Sequence, residues 1–492
     1  MNQFKKVISI VALIFSFFFA NPLLAKDYKA SLFGIVSDGI TLNTRSIQFA
    51  IDYIHTNGGG SLVFYVGRYL TGSIHLESDV FIRLEEGAVL VGSLNPFDYD
   101  KDGVTALIFA DNQQNIGITG KGVIDGRGDI VARNVLTNIQ KGLIDDPSKN
   151  DRPYEYNRPM NIHFGGCSNV CIKGITLKNS ASWNQTYDHC NNLTIDSITV
   201  ENNVYWNEDG MDIVDCDDVK ISNNYINTAD DGICLKSQDF NRKCENISIC
   251  NNVVRSSANG IKFGTASYGG FHNIRITNNI VYNTYRSALA LEAVDGGTID
   301  SIWVDSLRSI HTGNLIFLRT GERVAGKKSV LKNVYISNIE GDIPVSKPDS
   351  GYSYEGPVED LPRNISPAII IAGIPGSVIS DVHIKNVKFT HPGGGDKEYA
   401  NIPLQHLDRI PELASKYPDF SMFKELPAWG IFIRHATNVH LSSIEMDYKR
   451  PDDRMPVVLD DVNNSSFQDI AIRLSAKAIE IFQHQTQNVT IK

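Results

Sequence analysis

A short pattern of apolar and polar positions returns along the chain: Asn or Asp, an aliphatic residue, any residue, and a second aliphatic residue. It occurs at 115–118, 169–172, 192–195, 218–221, 246–249, 273–276, 333–336, 438–441 and 488–491. The intervals between its starts from 169 to 273 are 23, 26, 28 and 27 residues. Apolar residues at every second position are typical of a strand, and a spacing in the twenties is typical of one coil of a solenoid.

These repeats predict an all-β chain folded as a single-stranded, right-handed parallel β-helix, in which each coil pairs with the coils above and below it. Leucine-rich repeats have a similar period, but their Leu-rich consensus is missing here. Because a solenoid grows by stacking coils, residues 26–492 are expected to form one domain, where length alone would suggest about three. The Asn residues at the turns are expected to be structural, stacking their amides or adopting the left-handed conformation.

Several segments depart from the strand pattern. Residues 44–55 predict a short amphipathic helix that caps the amino-terminal end of the solenoid and covers its unpaired strand edges. The apolar stripe of this helix consists of Ile47, Ala50, Ile51 and Ile54. Polar insertions such as 140–156 are expected to be external loops. The segments 352–364 and 393–427 are rich in Gly, Pro and charge, and a short helix is predicted at 410–423.

The amino terminus is predicted to be a signal peptide, residues 1–25. Lys5 and Lys6 form a basic region, and the apolar stretch 7–19 is too short to cross a bilayer, which needs about 20 residues. Cleavage is expected after Ala25, so the protein is expected to be exported to a periplasm or to the extracellular space. No later segment is apolar enough to predict a membrane span, and we expect a monomer.

Composition narrows the choice of partners. With 46 Lys and Arg against 56 Asp and Glu, the formal net charge is −10, and there is no basic run to neutralise phosphates, so a nucleic-acid partner is not expected. The 42% hydrophobic content excludes a disordered chain. The seven cysteines are not spaced as a zinc site and are expected to be mostly small core residues, with Cys234 and Cys244 as the one local pairing to test.

Acidic residues cluster on two adjacent repeats, in the segments 206–212 and 229–232. Asp209 precedes Asp230 by 21 residues and Asp231 by 22, slightly less than one coil, so the three carboxylates are expected to share one face. Like charges this close push at least one pKa upward, which gives the proton-bearing acid and the ionised base that glycosidic cleavage requires. A calcium site or a solvated turn would produce the same residue pattern.

At these residues the sequence resembles glycoside hydrolase family 28, the polygalacturonases and related pectinases. Residues 207–212, Asn-Glu-Asp-Gly-Met-Asp, are similar to the family's Asn-Thr-Asp-Gly-x-Asp motif, and Asp230-Asp231 is similar to its paired aspartates. Further similar segments are 33–52, 120–126, 158–159, 179–183, 371–376 and 429–435. The resemblance covers nearly all of the mature chain.

The resemblance implies a right-handed parallel β-helix and hydrolysis by a single displacement, with inversion and without a metal or other cofactor. It implies that Asp230 is the general acid and that Asp209 and Asp231 activate the water. Asn207 and Glu208, which flank this cluster, are expected to contribute to substrate binding. The substrate is then an acidic plant cell-wall polysaccharide or oligosaccharide.

Two positions depart from the family pattern. Asn259, a candidate substrate-binding residue, stands where the family has a histidine, and 289–291, Leu-Ala-Leu, matches the family's Arg-x-Lys. Both positions normally help to grip a galacturonate beside the scissile bond, so Lys262 and Arg286 are candidate replacement cations. Trp183 is a candidate for stacking on a sugar ring. We therefore expect a variant pectic substrate: a rhamnogalacturonan, a substituted galacturonan, or a short oligomer attacked from its end.

Two other functions fit the same architecture. A calcium-dependent, pectate-lyase-like enzyme would need Ca²⁺ and an Arg or Lys base. A non-catalytic carbohydrate-binding β-helix would keep its ligand after loss of the acids.

Overall fold

A computed structural model describes residues 26–148, 152–349, 366–395, 404–424, 426–473 and 479–492. The predicted signal peptide and the segment 352–364 lie outside these ranges. In chain order the described strands are β1 Asp27–Lys29, β2 Asp38–Leu42, β3 Gly60–Phe64, β4 Gly67–Thr71, β5 Ile74–His75, β6 Val80–Leu84, β7 Ala88–Gly92, β8 Lys101–Asp102, β9 Val104–Asp111, β10 Gln114–Gly120, β11 Val123–Asp125, β12 Met160–Gly165, β13 Ser168–Lys173, β14 Thr176–Lys178, β15 Gln185–Asp188, β16 Asn191–Asp196 and β17 Thr199–Asn202.

The remaining described strands are β18 Met211–Val214, β19 Asp217–Ser222, β20 Tyr225–Thr228, β21 Ile233–Ser237, β22 Cys244–Cys250, β23 Val253–Ser256, β24 Ile261–Ser267, β25 Gly270–Ala293, β26 Thr298–Thr320, β27 Val330–Asp342, β28 Ile369–Ala372, β29 Ile379–His391, β30 Ala428–Tyr448, β31 Met455–Asn463, β32 Ser466–Ile472, β33 Ile481–His484 and β34 Thr490–Ile491.

The strands stack into three parallel sheets that wind around one axis. One sheet runs β10, β13, β16, β19, β22, a second runs β11, β14, β17, β20, β23, and a third runs β9, β12, β15, β18, β21, β24. From β25 onward, long strands bend across more than one sheet, so β25 pairs with β22, β23 and β24. The predicted all-β, right-handed parallel β-helix is confirmed. The short β8 pairs antiparallel with β9.

The repeated sequence pattern forms the first of these sheets. Its first aliphatic position stacks in register from Val170 to Leu193, Val219, Ile247 and Ile274, and all five side chains are buried. Because each coil covers the apolar face of its neighbour, burial continues along the whole solenoid.

The cysteines serve mainly as small core residues. Cys167, Cys190, Cys216, Cys234 and Cys244 are buried, and all seven are free thiols. The pairing of Cys234 with Cys244 considered above is therefore wrong: Cys244 Sγ instead donates to the carbonyl oxygens of Ile213 and Lys236.

Asparagines form ladders at the turns. The buried Asn224, Asn252 and Asn279 bond from amide to amide along three coils, with Nδ2 to Oδ1 distances of 2.9 and 3.0 Å. Outside them, Asn251 and Asn278 have φ of +59° and +53°, the left-handed region that Asn tolerates best after Gly. The structural role predicted for these asparagines is confirmed.

The two described α-helices are α1, Thr44–Thr56, and α2, Gly128–Gln140. Helix α1 buries the predicted stripe of Ile47, Ala50, Ile51 and Ile54. Helix α2 was not anticipated, although it has its own apolar side of Val131, Ala132 and Val135. Neither helix has the length and hydropathy needed to cross a membrane. Within the described residues, short 3-10 helices occupy Ala30–Phe33, Pro96–Asp98, Glu155–Asn157 and Leu404–Arg409.

The helix predicted at 410–423 is absent; these residues form turns after the Leu404–Arg409 helix. We call residues 404–424 the strap. Its apolar side chains pack on an outward-facing apolar row of the third sheet; the buried contacts comprise Leu407, Ile410, Phe420 and Phe423 of the strap and Ala290, Phe317, Ile370, Phe432 and Val458 of the sheet. Packing against the sheet therefore replaces helical hydrogen bonding in this segment.

Candidate active site

One outward-facing row of the third sheet changes from polar to apolar. In register, Thr186 is followed by Asp212, Cys234 and Lys262, and then by Ala290 and Phe317. The strap covers the row from Ala290 onward. The polar part therefore forms a groove with the strap at one end.

The turns that enter this sheet carry the predicted acids. Gly210 N–H donates to the carbonyl oxygen of Asp231 at 2.9 Å, and Gly232 N–H donates to that of Asn259 at 2.8 Å. These bonds place Asp209, Asp231 and Asn259 on successive coils. The structure thus brings together the three carboxylates that the sequence spacing placed on one face.

Lys236 lies at the centre of the cluster, although the sequence analysis gave it no role. Its Nζ is 3.1 Å from Asp209 Oδ2, 2.6 Å from Asp212 Oδ1 and 3.1 Å from Cys234 Sγ. Asp209, Asp212 and Cys234 also place ligand atoms within 4.8 Å of one another, as a metal site would. The ammonium group already supplies the positive charge there, so these residues do not favour a metal.

Burial sets the electrostatics of this cluster. It raises the pKa of Asp209 well above the usual range, and Asp212 adds to the increase. Burial opposes the charge on Lys236, but Asp212 and other neighbours raise its pKa well above normal. Lys236 therefore remains a cation bound to two buried acids.

Asp231 is held as a carboxylate by several donors. Lys262 Nζ lies 2.9 Å from its Oδ2, while the backbone N–H and Nδ2 of Asn259 donate to its Oδ1 at 3.0 and 2.9 Å. Burial alone would raise the pKa of Asp231, but Lys262, Lys236 and Arg286 outweigh burial and lower it to about 2. Asn259 therefore supports the acid cluster from the position of the family's histidine.

Asp230 has the opposite environment. It is half-buried, and burial together with the neighbouring Asp209 and Asp231 raises its pKa to about 7. Arg286 and Lys262 oppose this increase without overcoming it. The two adjacent aspartates thus differ in protonation between about pH 2 and 7.

Arg286 is buried and its Nε lies 3.1 Å from Asp419 Oδ2 of the strap. Tyr417, also in the strap, accepts a hydrogen bond at its hydroxyl oxygen from Lys262 Nζ, at 2.6 Å. Tyr417 is 47% exposed. The centre of its ring lies 5.0 Å from Lys262 Nζ, 5.9 Å from Arg286 Cζ and 5.7 Å from Arg323 Cζ. Lys262 and Arg286 therefore do lie at the acid cluster, as the sequence suggested, but both also bond to acids.

Buried hydrogen bonds from Arg158 hold the loop that precedes Asp209. The fully buried Arg158 donates to the carbonyl oxygens of Ala181 and Trp206 at 2.7 and 2.6 Å and to Asn207 Oδ1 at 2.9 Å. Glu208 is also fully buried: its Oε2 accepts from Val204 N–H at 2.6 Å, and burial raises its pKa to about 8. A solvated turn glutamate is therefore ruled out, and this burial argues against the substrate contact predicted for Glu208.

Trp183 lies over the cluster on the side away from the strap. Lys236 Nζ is 4.5 Å from the centre of its ring, and Tyr156 meets the ring edge-on at 5.8 Å. One side of the indole is therefore already in contact with a cation.

Sequence reasoning missed four residues that shape this site: Asp212, Lys236, Glu292 and Tyr417. Asp212 belongs to the 207–212 motif, and Lys236 lies in β21, the strand that directly follows the paired aspartates. The sequence therefore held a signal for both residues. Glu292 lies 3.9 Å from Lys262 Nζ, and burial raises its pKa to about 8. Tyr417 is about 190 residues from the paired aspartates along the chain, so no local pattern could connect them.

The fold is a parallel β-helix, and the paired acids lie beside the outward-facing row of its third sheet. Residues 66–298, slightly less than half of the chain, match the family model of glycosyl hydrolases family 28, so this part of the chain is similar to that family. This confirms the resemblance found in the sequence.

Individual relatives are more distant. A probable polygalacturonase of Vitis vinifera is 26% identical over 65% of this chain and 62% of its own length. The exo-poly-alpha-D-galacturonosidase of Dickeya chrysanthemi is 25% identical over 52% and 50%. The chain thus spans about half to three fifths of these curated relatives. The structure of the Yersinia enterocolitica family 28 exopolygalacturonase shares the fold, with a TM-score of 0.61, 19% identity, and coverage of 94% of this chain and 78% of that one.

Proposed function

We propose that this protein is an inverting glycoside hydrolase that cleaves pectic polysaccharide or oligosaccharide, with Asp230 as the general acid. The observation that carries the proposal is the pair of adjacent carboxyls whose environments separate their pKa values, to about 7 for Asp230 and about 2 for Asp231. Such a separation is how one site provides an acid and a base at the same pH.

In the proposed reaction, Asp230 gives its proton to the glycosidic oxygen as the bond from that oxygen to the anomeric carbon breaks. A water molecule attacks this carbon from the opposite face, and Asp231 accepts the water's proton. Asp209, bonded to Lys236, orients the water. The products are two sugars, and the anomeric configuration is inverted.

We further propose that the enzyme acts at a chain end. The strap covers the outward-facing row directly beyond Lys262, and Arg319 and Arg434 fasten it to the solenoid. A polysaccharide in the groove would have to stop there. Arg286 and Arg323 lie beside the Tyr417 ring at the blocked end and supply positive charge for a terminal uronate.

The predicted signal peptide supports export to a periplasm or the extracellular space. The similarity to a probable polygalacturonase and to an exo-poly-alpha-D-galacturonosidase supports an acidic pectic substrate. We retain both as parts of the proposal.

The test is to incubate the purified protein with polygalacturonate, rhamnogalacturonan and their oligosaccharides, and to identify the products by chromatography and mass spectrometry. Release of one sugar or a short unit at a time supports chain-end action, whereas a ladder of sizes contradicts it. Formation of ultraviolet-absorbing products only when Ca²⁺ is present would indicate a lyase. Binding without any product would indicate a carbohydrate-binding protein.

A further inference from the structure

A separate cavity lies on the open side of the groove, away from the strap. It has a volume of about 230 Å³, and its walls include Tyr156, His163, Trp183, Thr186, Asp188 and Gln238.

The cavity adjoins the acid cluster. Thr186 pairs with Asp212, and Asp188 pairs with Val214, which pairs in turn with Lys236. A sugar in the cavity would therefore neighbour the sugar held at the strap, with the catalytic aspartates close to the bond between them.

The charge of this cavity differs from that of the strap end. None of the described residues that line it is Lys or Arg. The cation next to it, Lys236, has only 7% of its side chain exposed, is bonded to Asp209 and Asp212, and lies beneath the Trp183 ring. The Asp188 side chain is 35% exposed, and its Oδ1 lies 2.5 Å from His189 Nδ1.

We propose that this cavity is a subsite for an uncharged sugar, and that Asp188 selects against a uronate there. The inference rests on the proposed function, and it defines the substrate as a chain in which a neutral sugar adjoins a uronate. A sugar carboxylate in the cavity would meet Asp188 without a cation to pair with. The rings of Tyr156 and Trp183 offer apolar surface to a neutral sugar, and Thr186 and Gln238 offer hydrogen bonds to its hydroxyls.

The test compares kcat/KM for two probes of equal length, an oligogalacturonate and an oligosaccharide of alternating galacturonate and rhamnose. The full-length protein is compared with Asp188→Asn and with the control Asp217→Asn, which removes an acid that does not line this cavity. Asp188, His189 and Asp215 place ligand atoms within 4.8 Å of one another, so a chelator is included to prevent a bound cation from masking Asp188.

We expect Asp188→Asn to raise kcat/KM for the oligogalacturonate, relative to the alternating probe, by about fivefold at low salt. The gain is expected to shrink in 0.5 M NaCl because salt screens the repulsion. Asp217→Asn is expected to leave the ratio unchanged. An unchanged ratio in Asp188→Asn, with an unaltered melting temperature, would overturn the inference; Asp188→Ser repeats the test if the first variant is unstable.

Failure of the proposed function gives a different result. If neither probe is cleaved, the proposed hydrolysis is wrong. Calorimetry then measures the dissociation constants of both probes, and their ratio gives the protein's preference between them. If the wild type binds the alternating probe more tightly and Asp188→Asn reduces this preference, the subsite is supported even without hydrolysis. Equal binding of both probes by the wild type would overturn it.

Discussion

Lys262 Nζ lies 2.9 Å from Asp231 Oδ2, and both side chains are buried. The sequence analysis proposed Lys262 as a cation for the substrate. The structure shows that this ammonium also stabilises the charged form of the carboxylate that is proposed to accept the water's proton.

Replacing Lys262 by Met is therefore expected to raise the pKa of Asp231 above its present value of about 2, because burial then acts with one fewer cation to oppose it. The ionised fraction of Asp231 should fall at acid pH, so the acid limb of the kcat/KM profile should move upward. We expect kcat to fall by about 10²-fold, the usual range for a lost acid–base contribution. A variant whose acid limb stays in place would contradict this role.

The alkaline limb of the same profile reports Asp230. Its pKa is raised to about 7, so the proton needed by the leaving group is present below pH 7 and is lost above it. We expect kcat/KM to fall about tenfold per pH unit well above this value. A profile that stays flat to pH 9 would show that Asp230 is not the acid.

Arg158 is expected to position the loop that carries Asp209. Arg158→Met removes two hydrogen bonds to this loop and one to Ala181, and should lower kcat by about 10- to 100-fold, as expected for small displacements of catalytic groups. The alkaline limb should remain at the same pH, because Asp230 is untouched. Arg133→Met, on the exposed surface of α2, is the control and should behave as the wild type.

The buried asparagine ladder predicts a stability effect far from the catalytic groups. Asn252→Ala leaves the backbone N–H and Nδ2 of Asn224 without their acceptor, which should reduce the free energy of unfolding by about 1–3 kcal/mol. The exposed Asn241→Ala, which loses the bond from Nδ2 to Asp239 Oδ1 and keeps the one from its backbone N–H, should change it little. The midpoints of urea unfolding compare the two variants.

The sequence predicted the fold because each coil repeats one short pattern, so Val170, Val219 and Ile247 each indicate the same strand. It placed Asp209, Asp230 and Asp231 together because one coil separates them. The strap could not be predicted in this way: Ile410 and Phe423 pack on a distant part of the sheet, and that contact leaves no periodic pattern. Nor could the sequence show that Glu208 is buried. Its burial depends on the conformation of the loop before β18, where its carboxylate accepts a hydrogen bond from Val204 N–H.

The proposed mechanism is tested most directly by following hydrolysis of a pectic oligosaccharide by proton NMR, with the wild type and with Asp230→Asn. The mechanism predicts that the first product has the inverted anomeric configuration, and that Asp230→Asn loses about 10²-fold or more of this activity while keeping its substrate affinity. Retention of configuration, or full activity in Asp230→Asn, would contradict it.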